Sequence, residues 1–158
     1  MPRRRTTDFT RTIEKDPRFG SVRIQKFINV IMERGKKSVA RDIVYGAIDI
    51  IAKKSNNDEK KALETFNQAF EQVAPLVEVR SRRVGGSVYQ IPTEVRSRRK
   101  DSLTMRWLIS ASKERTNKTM KERLAFEIMD ASQGKGGAVK KRIDVQRMAE
   151  ANRAFSHY

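Results

Sequence analysis

The apolar residues of this 158-residue chain follow two rhythms. Over most of its length they recur every three or four positions, the spacing of one helical face; near residues 77–91 that spacing gives way to valines around a glycine pair. Ile24, Phe27, Ile28 and Ile31 form a first stripe, which predicts a helix from Val22 ended by Gly35 as its C-terminal cap, with Lys36 and Lys37 in the next turn. Ser38 can cap a second helix in which Ala40, Ile43, Val44, Ala47, Ile48 and Ile51 keep the helical spacing. After turn chemistry at Ser55-Asn56-Asn57-Asp58, Asn57 or Asp58 can cap a third helix that turns Ala62, Leu63, Phe66, Ala69, Phe70 and Val73 inward until Pro75 stops it. Its outer face mixes Asp58, Glu59, Glu64 and Glu71 with Lys60 and Lys61, and is expected to point away from any polyanion.

The stretch from Arg80 to Pro92 predicts a β-hairpin closed by Gly85-Gly86, because adjacent glycines both accept the positive φ of a two-residue turn. Such a turn sets Arg83 opposite Val88, Arg82 opposite Tyr89 and Arg80 opposite Ile91, so Arg80, Arg82 and Tyr89 share one side of the ribbon and Arg83 takes the other. Neither face is apolar enough for a buried sheet. An isolated two-stranded ribbon is marginal in water, so something outside it, a polyanion first of all, is expected to complete it.

Beyond the hairpin, Arg96, Arg98, Arg99 and Lys100 crowd the start of a fourth helix, with Ser97 as cap and Leu103, Trp107, Leu108 and Ala111 inside. The positive end of a helix dipole prefers anions, so four cations there point to an external phosphate. Lys113, Arg115 and Lys118 lie in the following connection. Thr119-Met120-Lys121-Glu122 has capping-box spacing for a fifth helix with Leu124, Ala125, Ile128 and Ala131 inside and Gly134 at its end. The glycine-rich run from Gly134 to Arg142 reads as a basic loop carrying Lys135, Lys140, Lys141 and Arg142. Asp144 then caps a last helix, with Ile143 and Met148 as a hydrophobic staple and Val145, Met148, Ala149 and Phe155 on its apolar side. Residues 1 to about 18 hold Arg3, Arg4, Arg5, Arg11, Lys15 and Arg18 with few apolar residues, and are expected to form a flexible basic arm that orders on its partner. The predicted fold is mainly α: about six helices forming one helical domain over residues 19–158, with an inserted, protruding two-stranded β-hairpin arm at about 76–92 and a basic N-terminal extension.

Charge narrows the function. Thirty-five Lys and Arg against 19 Asp and Glu give a net charge of +16, which suits work against a dense anion, nucleic acid before an anionic membrane. No apolar run exceeds three residues, so neither a membrane-spanning helix nor a signal-peptide core is expected. Zero cysteines removes disulfides, thiolate metal sites and cysteine nucleophiles, and fits a reducing, intracellular setting. His157, the single histidine, sits beside the chain end, the carboxylates lie mostly on helix faces that also hold lysines, and the glycine run lacks both phosphate-loop spacings. No catalytic residue, no metal ligand and no cofactor is expected.

The cations fall in segments far apart in sequence: the arm, Lys36 and Lys37, the hairpin with the start of the fourth helix, the connection from Lys113 to Lys118, and the run from Lys135 to Arg142. Gathered on one side, they form a nucleic-acid surface whose affinity falls about a thousandfold or more between about 50 and 200 mM salt for six to ten phosphates. Trp107 and the phenylalanines at helical spacing read as core; Tyr89 is the aromatic placed to stack on a base. From the residues alone, an RNA binder and an architectural DNA binder with a basic β-arm both remain open, and an RNA-processing enzyme lacks its acid or base.

The words Gly35-Lys36-Lys37, Arg82-Arg83-Val84-Gly85-Gly86, Tyr89-Gln90-Ile91-Pro92, Arg106-Trp107-Leu108, Lys118-Thr119-Met120, Glu122-Arg123-Leu124-Ala125, Ala138-Val139-Lys140-Lys141-Arg142 and Met148-Ala149-Glu150-Ala151-Asn152 stand here in order. Essentially end to end, the chain resembles the bacterial family of the small-ribosomal-subunit protein conventionally numbered seven. The resemblance implies a helical body with a protruding hairpin that binds the 3′ major (head) domain of small-subunit rRNA, nucleates head assembly and acts in the cytoplasm on the ribosome. It implies that the hairpin and C-terminal helix face exit-site tRNA, the mRNA exit region and a neighbouring platform protein. Under it, Arg3, Arg4, Arg5, Arg11, Lys36, Lys37, Arg96, Arg98, Arg99, Lys100, Lys113, Arg115, Lys118, Lys135, Lys140, Lys141 and Arg142 are rRNA contacts. Arg80, Arg82 and Arg83 also touch rRNA and anchor the arm, and Val84, Gly85, Gly86, Ser87 and Tyr89 lie near tRNA. Ser97 stands where a proline is frequent in that family.

Overall fold

The helical stripes set out by the sequence meet in one core. The computed structural model describes residues 10–157. Among them are six helices, α1 (Val22–Ile31), α2 (Lys37–Lys54), α3 (Glu59–Val73), α4 (Ser97–Lys113), α5 (Met120–Ser132) and α6 (Gly137–Ala151), and a 3-10 turn at Arg153–Phe155. Strands β1 (Val77–Val84) and β2 (Ser87–Glu94) lie between α3 and α4. Helix α5 packs against α2, α3 and α4, while α6 packs on α4 and carries the hairpin. Phe27, Phe66, Ile48, Leu108, Leu124 and Ile128 are buried at the centre. Phe27 meets Phe66 and Phe70 edge-on, with ring centroids 5.6 and 5.8 Å apart. Such pairs add about 0.5–1.5 kcal/mol each beyond the area they bury.

Local rules set several boundaries. Asp58 accepts hydrogen bonds from the amides of Lys60 and Lys61, and Thr119 with Glu122 makes both bonds of a capping box. Gly134, at φ 75°, follows α5 where expected. The hairpin pairs Arg83 with Val88, Arg82 with Tyr89 and Arg80 with Ile91 around Gly85 and Gly86, the predicted register.

Four boundaries differ from expectation. Helix α1 ends at Ile31 rather than at Gly35, because the next positions on its stripe are Arg34 and Gly35, which offer nothing to bury. Those two residues, at φ 54° and 74°, turn the chain straight into α2, whose N-cap is Lys36, so Ser38 falls inside the helix instead of capping it. Ser97 is the first residue of α4 and the N-cap is Arg96, with no side-chain cap bond. The basic loop is largely helix: α6 begins at Gly137, so Lys140, Lys141 and Arg142 ride on it, and Asp144 lies within it. Met148 is exposed rather than stapled inside, and Phe155 belongs to the 3-10 turn.

The position of Ser97 explains why proline suits it. The N–H of a first helical residue has no intrahelical partner, and Arg96, at φ −67° and ψ 146°, already has the extended backbone that a following proline demands. Ser97→Pro is expected to stabilise the protein by about 0.4–1 kcal/mol through the unfolded state, read as a rise in melting temperature with unchanged helix content.

Candidate nucleic-acid interface

At its base the hairpin is held by buried groups of the protein itself. Ile91 and Val95 are buried, and so is the carboxylate of Glu78. Arg99, in the first turn of α4, donates its Nε–H to both Glu78 oxygens at 2.9 and 2.7 Å. Arg80 donates to Oε1 from Nε at 3.1 Å and from a terminal amino group at 2.9 Å. An internal carboxylate thus meets part of the charge that the sequence assigned to an external phosphate. Tyr89 likewise is not an open stacking platform: its ring lies on that of Phe155, centroids 4.7 Å apart, because the chain returns after α6 to cover β2. The outer half, with Arg82, Arg83, Gly85, Gly86, Ser87 and Val88, is exposed.

Burial pushes the Glu78 carboxyl up, but the bonds from Arg99 and then Arg80 outweigh it and hold the group below its ordinary value of 4.5. A depressed carboxylate contributes stability above its unfolded pKa and loses it as pH falls through the folded one. Glu78→Gln is therefore expected to cost on the order of 1–2 kcal/mol at neutral pH and progressively less below about pH 4.5. Melting temperatures of both proteins from pH 7 to 3 check this; parallel curves would contradict it.

Other predicted contacts also have internal partners. Lys113 pairs with Glu33 at 2.7 Å, an exposed pair that lowers the Glu33 pKa. Arg115 bonds to buried Glu127 at 2.7 Å and to Asp130; burial pulls its pKa down, and the bonds to Asp130 and Glu127 more than restore it. Arg18, counted with the basic arm, bonds to Asp49 and Glu59 at 2.6 and 2.7 Å. Buried Asp16 accepts from the Tyr45 hydroxyl at 2.6 Å, so the chain is tied to the helices from there. Arg3, Arg4 and Arg5 lie outside the described residues.

What the fold gathers, it gathers along α4. Arg98, Ser102, Met105, Ile109 and Lys113 recur at helical spacing and face two open grooves in turn. The first is lined by Arg98, Arg11 and Lys26 with one acid, Asp101; the second by Lys113, Arg34 and Lys36 with one acid, Glu33. From Arg98 to Lys113 the helix rises about 22 Å. On other sides of α4, Lys140 and Lys141 flank the half-buried Trp107, and Lys100 shares a groove with Arg23 and Arg142. Arg96, Lys37, Lys118 and Lys135 are exposed but line none of these four grooves. The grooves add Lys26, Arg34 and Arg23 to the contacts that the sequence predicts. Lys26 stands four residues from both Val22 and Val30, an outward stripe that the inward one hides.

Among the described residues, no group of three or more His, Cys, Asp or Glu could hold a metal ion, and no helix is long and apolar enough to cross a membrane. His157 is exposed beyond the 3-10 turn.

The family model described as Ribosomal protein S7p/S5e matches residues 2–153. Curated relatives include small ribosomal subunit protein uS7 of Teredinibacter turnerae and of Cellvibrio japonicus, each 58% identical over 158 residues, covering all of this chain and 99% of the relative. The protein of the same name from Rhodopseudomonas palustris is 57% identical over the same span, with the same coverage.

Proposed function

The chain belongs to the Ribosomal protein S7p/S5e family, and from that membership we propose that it holds the 3′ major (head) domain of small-subunit rRNA with its basic grooves and reaches exit-site tRNA with its hairpin. It is a small-subunit ribosomal protein and not an enzyme. One observation carries the RNA reading: cations from the N-terminal segment, α1, the turn after it and both ends of α4 converge on two grooves along one helix. Each groove holds three cations against a single acid, Asp101 in the first and Glu33 in the second, a local excess of positive charge that suits a polyanion. Arg98, Lys36, Lys113, Arg11, Lys26 and Arg34 are assigned to phosphates on this strip, and Lys140, Lys141, Lys100 and Arg142 to phosphates on the flanking grooves. Arg3, Arg4, Arg5, Lys37, Arg96, Lys118 and Lys135 extend the surface at its margins. Arg115 serves chiefly to hold α5 to the turn before it, with its contact to RNA secondary.

The hairpin divides between the two ligands. Arg80, Arg82 and Arg83 belong to rRNA, while the small, uncharged tip of Val84, Gly85, Gly86 and Ser87 suits approach to a tRNA that must leave. The C-terminal turn beside Tyr89 faces the mRNA exit region and a neighbouring platform protein. Head assembly on the ribosome, in the cytoplasm, is the setting.

The test is competition. At about 0.3 M salt, where non-specific binding weakens most, the protein is expected to hold folded head-domain RNA against an excess of random duplex DNA. Equal affinity for the two would overturn the reading in favour of an architectural duplex binder.

A further inference from the structure

Resting on the reading of the chain as an rRNA binder, we propose that Glu78, an acid, is a positioning residue of the RNA interface. Its carboxylate fixes the guanidinium groups of Arg80 and Arg99 together, so that they receive one backbone phosphate at the foot of the hairpin. The three residues converge for simple reasons. Glu78 and Arg80 are two apart on β1 and share a face of the ribbon, and Arg99 comes from the first turn of α4. The Glu78 side chain is 8% exposed, whereas those of Arg80 and Arg99 are 62% and 45% exposed. The acid is thus an internal post, and the two cations stand between it and solvent.

The bonding leaves donors to spare. Arg99 reaches Glu78 through Nε alone, and Arg80 through Nε and one terminal amino group. Both terminal amino groups of Arg99 and one of Arg80 therefore take no part in holding the carboxylate. Two guanidinium groups against one carboxylate leave a local excess of positive charge. Long arginine side chains lose rotamer freedom when they bind, and here much of that loss has been met in the free protein. Planar guanidinium forks held in this way match phosphate oxygens, which a flexible ammonium group does not.

Charge alone predicts the opposite of what positioning predicts. A carboxylate beside a phosphate site repels the ligand, so its removal, which raises the net charge by one, should tighten binding. If Glu78 positions the arginines, its removal should loosen binding instead. A clamp that merely fastens the hairpin to α4 lowers the melting temperature and leaves the affinity of the folded protein unchanged.

The experiment measures affinity of the full chain for folded head-domain RNA across a salt series, well below each melting temperature. The proteins are wild type, Glu78→Gln, and the pair Arg80→Lys with Arg99→Lys. Expected is binding about fivefold or more weaker for Glu78→Gln despite the added charge. For the lysine pair a similar loss is expected with an unchanged salt slope, because no charge has been removed. Glu78→Gln that binds as tightly as wild type, or more tightly, overturns the proposal, as does a lysine pair with wild-type affinity. If Glu78→Gln does not fold, the lysine pair decides alone. Wild type that prefers RNA while Glu78→Gln matches it defeats this inference only; wild type without preference for RNA over duplex DNA defeats the functional reading and this inference with it.

Discussion

Replacing Glu127 with alanine is expected to cost about 3–5 kcal/mol, the loss typical of removing one partner from a buried ion pair. The side chain is 1% exposed and lies between two helices. Its Oε2 accepts from the Nε of Arg115 at 2.7 Å, and its Oε1 accepts from the buried amide of Ala138 at 2.9 Å. Alanine would leave Arg115, only 23% exposed, with Asp130 alone, leave an amide in the first turn of α6 without an acceptor, and open a cavity. The start of α6 has no side-chain cap of its own, since Gly136 at φ 93° precedes it. A Cβ at Gly136 would stand 2.9 Å from the same Glu127 oxygen, so the glycine is what lets the carboxylate approach. Glu127→Gln, which keeps the shape and one acceptor, is expected to lose about 1–2 kcal/mol. Urea titrations with a fixed slope measure both. For a domain of this size the alanine variant should melt on the order of 10 °C lower. A loss below about 1 kcal/mol would mean that packing of Ala138 and Val139, not the carboxylate, starts the helix.

The same carboxylate marks the limit of what could be read from the sequence. Where a boundary depends on residues a few positions apart, it was legible: the capping box of Thr119 and Glu122, the Asp58 cap, and the glycine pair that fixes every partner in the hairpin. The inward stripes were legible for the same reason, because burial follows helical period. The start of α6 was not, since its acceptor stands eleven residues upstream on another helix, whereas the local cap chemistry lies at Asp144, inside the helix. Ser38 and Ser97 misled in the same way: each has cap chemistry but sits inside its helix, after turns that the backbone makes without a side-chain cap. The site follows this division. That cations cluster was visible along the sequence, but which of them bond to acids of the fold was not. Arg99, Arg115 and Arg18 look alike in sequence to Arg98, Lys118 and Arg11, and only the positions of Glu78, Glu127 and Asp49 separate them.

That separation predicts which substitutions disarm the interface without unfolding it. Lys26, Arg34 and Arg98 line the two grooves beside α4. Changing all three to alanine is expected to flatten the dependence of log affinity on log salt by about two to three, near one for each phosphate that is no longer neutralised. With that slope, affinity near 0.1 M salt should fall on the order of a hundredfold, because each phosphate left without its cation keeps the counterion that binding would have released. Stability should move by no more than about 0.5 kcal/mol per site, since none of the three supports the core. The matched control is Lys60→Ala with Lys61→Ala on the outer face of α3, where Glu59 and Glu64 share the surface. Those changes also remove positive charge, but from the face assigned away from RNA, so affinity should change less than about twofold and the slope hardly at all. Filter-binding or anisotropy titrations from about 50 to 300 mM salt read both quantities. If the α3 pair proved as costly per charge as the groove triple, net charge rather than the strip along α4 would govern binding. A groove triple with an unchanged slope would place the phosphates elsewhere, on the α6 cations Lys140 and Lys141 first.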